Sequence, residues 1–149
     1  MNTPIPDPLQ PTGPPRPPAR PAAPSWAAAV GLGLLALLRP VARLSGAVDA
    51  LGTPAGPLLL TGAVTAVWVL VVGLSRLPRP VLTLTLAGVV YAVATIPLSA
   101  VLSTVLDGSL AGPLATPVAI VPLLLVNAAW GALAGVLALA VRHLRGRAG

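Results

Sequence analysis

Four stretches of this chain carry no charged residue and approach or exceed the length of a membrane span: residues 22–38, 57–75, 81–106 and 118–141. A helix needs roughly 20 apolar residues to cross a hydrocarbon layer about 30 Å thick, with about 17 as the lower limit. Only 8% of the 149 residues are charged and 56% are hydrophobic. Soluble domains run at about 25% charged, and so little charge cannot cover a water-facing surface. The fold expected is all-α: an integral membrane four-helix bundle with a disordered Pro-rich N-terminal tail, and the lipid bilayer as solvent.

The segments between these blocks are readable by composition. Residues 1–24 hold ten prolines, including the run PPRPPARP. Proline fixes φ and removes a donor, so this arm favours extended polyproline II and builds no core. It is either a spacer or a ligand for a Pro-binding groove on a cytoplasmic partner. Residues 39–53 place Val41, Leu44, Val48 and Leu51 on one helix face, which suits an interfacial helix or a plain loop. The turn SRLPRP at 75–80 and Asp107-Gly108 close the second and third blocks. Residues 142–149 form a short basic tail. There is no Cys, so disulfide and thiol chemistry are absent.

All nine cationic side chains are Arg, and the net charge is +6. They sit in gaps and tails, not on a basic face with aromatics, so nucleic acid is not the expected partner. With four spans, Arg16, Arg20, Arg76, Arg79, Arg142, Arg145 and Arg147 share one side, against Arg39 and Arg43 on the other. Positive residues favour the cytoplasm, so both termini are expected there, in a multi-pass protein of the inner membrane. This bias also argues against dual topology.

Helices in lipid associate through small residues that admit close backbone approach. Each block carries such a stripe: Ala29, Gly33 and Ala36; Gly62, Ala66 and Gly73; Gly88, Ala92, Thr95, Ser99 and Ser103; Asn127, Gly131, Gly135 and Ala138. Steps of three and four keep each stripe on one face. One stripe could be left over for a homo-oligomer. Pro97 should kink the third block, with Thr95 or Ser99 re-satisfying the freed carbonyl.

Candidate chemistry is sparse. The titratable groups other than Arg and Tyr are Asp7, Asp49, Asp107 and His143, and none lies inside a block. No catalytic pair, metal cluster or cofactor site is expected, and no enzyme activity. Asn127 lies about 14 Å into its block at 1.5 Å per residue. Its amide should therefore face the bundle, as interhelical glue or as a pore contact. The hydroxyls of Thr61, Thr65, Thr83, Thr85, Thr95, Ser99, Ser103 and Thr104 either wet a path or bond back to their own helices.

The Pro-rich tail, the Arg-flanked apolar blocks and GPLATP before the last one resemble small multi-span membrane proteins of high-GC actinobacteria. The usage of Ala, Leu, Val, Gly, Pro and Arg suggests such a genome. The resemblance implies membrane residence and assigns no functional residue. The chain also resembles four-span multidrug transporters in length, but it lacks their intramembrane Glu. It lacks the Phe residues of four-span fluoride channels. It is similar to holins in size, span count and basic tail. The function expected is association: a scaffold or accessory subunit working through its helices and its arm. A small channel, a holin-like pore or a carrier for a neutral or lipophilic solute is the alternative.

Overall fold

The computed structural model describes residues 22–44, 52 and 55–147. The Pro-rich stretch 1–21 and most of 45–54, where the expected tail disorder and the second half of the interfacial helix fall, lie outside the described residues. Five α-helices follow one another: α1 (Trp26–Leu35), α2 (Leu38–Leu44), α3 (Ala55–Leu74), α4 (Pro80–Asp107) and α5 (Ile120–Arg147). A 3-10 turn, Pro117–Ala119, leads into α5, and no strand occurs among the described residues. Among the described residues, three stretches are long and apolar enough to cross a membrane: Ala55–Leu74, Pro80–Leu106 and Pro117–Arg147.

The first apolar block does not form one span-length helix over 22–38. Helix α1 has 10 residues, about 15 Å of rise, and the chain breaks at Ala36 and Leu37 before α2 resumes. Pro40 explains the break. It has no N–H to give the Ala36 carbonyl, and its ring crowds that carbonyl in a regular helix. Arg39 N bonds Ala36 O instead, at 3.0 Å, in a tighter turn. Ser25 caps the start of α1 by accepting from Ala28 N.

Helix α4 begins on Pro80 in its first turn and ends on Gly108, whose φ of 66° suits a glycine helix stop. It continues through Pro97. The carbonyl that Pro97 frees belongs to Val93, and the expected hydroxyl rescue does not take place there. Thr95 Oγ1 donates to Tyr91 O at 2.7 Å. Ser99 instead sits against Gly112 of the following loop. Helix α5 runs on to Arg147, so the basic tail is mostly helical and not a loose end.

Helices α4 and α5 form the most extensive pairing, with α1 packed on α4 and α3 packed on α5. The α4–α5 seam is antiparallel in a steady register. Gly88 lies against the Asn127 carbonyl, Gly131 against the Leu84 carbonyl, and Gly135 against Val81. A Cβ on Gly135 would sit 2.5 Å from Val81 Cα. Such approaches permit Cα–H···O contacts between backbones. Gly33 does the same work between α1 and α4, where a Cβ would lie 2.7 Å from Ala87 O. The core is correspondingly small-residued: Ala29, Ala36, Ala87, Ala92, Ala134 and Ala138 are buried with Leu84 and Val72. Leu58, Leu70, Val101, Val105, Val126 and Leu133 stand exposed on the outer faces. An apolar exterior of this extent is unusual for a water-soluble monomer.

Not every stripe points inward. Gly73 packs against Ala138, but Gly62 and Ala66 of the same helix are exposed. Trp68 closes the remaining side of the bundle. It is 4% exposed, and its Nε1 donates to Leu32 O of α1 at 3.0 Å. The substitution Trp68→Phe keeps the packing and removes the bond. We expect a loss of about 1 kcal/mol in a denaturant titration of detergent-solubilised protein.

Candidate functional site

Local helix chemistry settles most of the polar groups. Thr85 donates to Val81 O at 2.8 Å, Thr95 to Tyr91 O at 2.7 Å and Thr104 to Ala100 O at 2.8 Å. Each spends its hydroxyl proton on the carbonyl one turn back, which is the usual resort of a hydroxyl in an apolar helix. Ser75 bonds Val72 O and Thr83 bonds Pro78 O in the same spirit.

Three hydroxyls do more, because an oxygen that has donated can still accept. Thr61 donates to Pro57 O and accepts from Arg39 Nη2 at 2.7 Å. Thr65, one turn on, donates to Thr61 O and accepts from Trp130 Nε1 at 3.0 Å. Ser103 donates to Ala100 O and accepts from Ala111 N at 3.0 Å, which docks the α4–α5 loop onto α4. Ser103 therefore holds a loop rather than a neighbouring span, and Ser99 lies beside the same loop at Gly112.

Asn127 plays a different part from the one its amide suggests. Its Nδ2 donates to Leu123 O, one turn back in α5, at 2.8 Å. Its backbone carbonyl, not its side chain, meets α4 at Gly88. Gly131 and Gly135 are buried on the same stripe and make the seam with Asn127. Asn127, Gly131 and Gly135 are thus brought together. Thr95, Pro97, Ser99 and Ser103 lie further along α4, and Pro97 is exposed.

Two arginines that the charge count treats as flanking residues are built into the bundle. Arg39 lies just after the α1 break, which turns it inward. Its guanidinium reaches Thr61 of α3 and lies 5.9 Å from the ring centroid of Tyr91 in α4. Thr61 is six residues, about 9 Å, from the start of α3, and Tyr91 eleven residues, about 16 Å, from the start of α4. These starts are opposite ends of an antiparallel pair, so the charge sits well inside the bundle's length. Cation–π contact and one hydrogen bond use only part of its five donors. No carboxylate side chain is among the described ones: Asp7 and Asp49 fall outside them, and so does the side chain of Asp107.

The second is Arg142 on α5. Its Nη2 donates to Ser75 O at 2.9 Å, Leu77 O at 3.1 Å and Val72 O at 3.2 Å. Arg145 Nη1 reaches Leu74 O at 3.1 Å. The end of a helix leaves carbonyls unsatisfied and carries partial negative charge, so cations settle there. Here the cap on α3 comes from another helix. Arg142 Nε is buried without a partner among the described residues, which ordinarily costs about 1–3 kcal/mol.

Among the described residues, no cluster of His, Asp or Glu could hold a metal ion. No protein-family model, no curated protein and no solved structure matches the chain.

The sequence signal for Arg39 was present in the pair Arg39-Pro40, since a proline four residues past a helical carbonyl breaks the helix there. Nothing in the sequence pointed Arg142 at the end of α3. That contact depends on how α3 and α5 lie side by side.

Proposed function

We propose that this is an integral protein of the cytoplasmic membrane that works by association, with the broken α1–α2 segment making a fourth crossing and both termini in the cytoplasm. It is a scaffold or accessory subunit without catalysis, and it offers partners its helices and its Pro-rich arm. The observation that carries this reading is Arg39. A charge at span depth is expensive and marks a functional site, and it is stable when an opposite charge meets it. Thr61 and Tyr91 hold the guanidinium in place but leave it positive. A carboxylate from a neighbouring span of another protein would complete the site. The outer face of α3 supports docking too. Leu58, Leu59, Gly62, Ala63 and Ala66 line a shallow apolar groove there, and its small residues admit a close neighbour. The hydroxyls, spent on their own helices, favour this reading over a wetted path.

The test is recovery of membrane partners after cross-linking in intact cells. We expect Arg39→Leu to reduce recovery tenfold or more, a loss of about 1.4 kcal/mol or above, and Arg39→Lys to retain most of it. Deletion of residues 1–24 should remove the soluble partners alone. Asp49→Asn should leave recovery unchanged. If Asp49→Asn matches Arg39→Leu, the counter-charge is internal and the association reading loses its support. Oligomers that depolarise cells on induction would replace it with a pore.

A further inference from the structure

The basic end of the bundle contains a pocket as well as a cap. It has a volume of about 350 Å³ and is lined by Gly73 at the end of α3, Ser75 and Arg76 just after it, and Arg142, Arg145 and Gly146 of α5. That size lies within the roughly 300–1,000 Å³ of ligand sites. Three guanidinium groups line it. Arg142 Nη2 and Arg145 Nη1 are committed to carbonyls, and this neutralises the negative end of α3 that would otherwise repel an anion. Donors remain. Arg76 makes no hydrogen bond among the described residues, and Arg145 has the rest of its fork. Gly146 has open space where a side chain would stand, so the mouth stays clear.

We propose that this pocket binds a phosphate-class anion, taken by Arg76 and Arg145. Fork-shaped donors suit phosphate oxygens. In an inserted protein the pocket lies where span α3 ends, at the level of lipid phosphates, and basic pockets between helix ends are a recurrent headgroup site. A free phosphate offers the same oxygens. The inference requires membrane insertion and does not depend on any protein partner.

The full chain is reconstituted in phosphatidylcholine vesicles, and association of spin-labelled phosphatidylglycerol is compared with that of spin-labelled phosphatidylcholine. A surface arginine contributes about 1 kcal/mol toward an anionic lipid, which is about fivefold in preference. We expect the preference to fall about fivefold in Arg76→Gln and again in Arg145→Gln. Arg147→Gln, which does not line the pocket, should change it much less. These variants spare the cap made by Arg142, and far-ultraviolet circular dichroism checks that each is folded. Inorganic phosphate added to phosphatidylcholine vesicles separates the two sources. If it raises the unfolding temperature of wild type but not of Arg76→Gln, the pocket takes a free phosphate. If only the lipid is selected, it takes a headgroup. An equal effect of Arg147→Gln and Arg145→Gln would reduce the site to diffuse surface charge and overturn the proposal, as would no response to either anion.

Discussion

Gly131→Val is expected to part α4 from α5. The added Cβ would run into the Leu84 carbonyl and approach Thr85 Cα at 3.0 Å. These are backbone atoms, so no rotamer change can make room. Overpacking a core with side chains around it costs typically 1–3 kcal/mol. Against backbone on both sides of a seam, the loss should reach at least about 3 kcal/mol. Gly88→Val should match it, since Gly88 meets the Asn127 carbonyl in the same way. The measurement is the unfolding free energy in mixed micelles. Gly31→Val provides the control, because nothing lies within 4 Å of its would-be Cβ. Gly62→Val is equally unopposed within the chain. A Gly131→Val protein as stable as Gly31→Val would mean that the seam is not as close as described. A loss at Gly62→Val confined to partner recovery would mark the α3 groove as an interface.

Arg142→Leu is the second substitution with a large expected effect. It removes the donor from the carbonyls of Ser75 and Leu77 and leaves Val72 O with Ser75 Oγ alone. Hydrogen bonds to a charged group contribute about 1.5–3 kcal/mol each, and stranded polar groups are penalised. The three share one nitrogen, so the combined loss should be nearer about 3 kcal/mol than their sum. The effect should be local at first. Amide exchange should rise at the last turn of α3 and the turn after it, while the α4–α5 seam stays protected. Arg142→Lys should recover part of the loss, since an ammonium can donate to carbonyls but its flexible stem lacks the fixed fork that aims Nη2 at them. Uniform exchange across the bundle would instead make Arg142 a global packing residue.

Much of the architecture was legible in advance. The uncharged blocks at 57–75, 81–106 and 118–141 correspond to α3, α4 and α5 within a few residues at most ends. The stripe Gly131, Gly135 and Ala138 is buried, as its spacing implied. The first block was harder. Residues 26–38 are as apolar as the others, but a backbone effect of Pro40, two residues beyond the block, stops α1 after ten residues. Hydropathy weighs side chains and does not register a missing N–H.

The polar residues divide the same way. That Thr85, Thr95 and Thr104 turn back on their own helices follows from sequence spacing alone, because the acceptor is always the carbonyl one turn earlier. Asn127 had that option too, and it takes it with Leu123. Which hydroxyls also accept across helices, Thr61 from Arg39 and Thr65 from Trp130, depends on neighbours 22 and 65 residues away.

By itself the sequence determined the helical class, the three long apolar helices, the punctuation at Pro80 and Gly108, and the small residues at the seam. These are local: they follow from charge, proline, glycine and a period of 3.6. The tertiary structure alone decided where the arginines go. A guanidinium at the end of a long side chain can turn to water, to a helix end or to an aromatic face. Only the relative placement of α3, α4 and α5 puts the Tyr91 ring beside Arg39 and the last carbonyls of α3 beside Arg142.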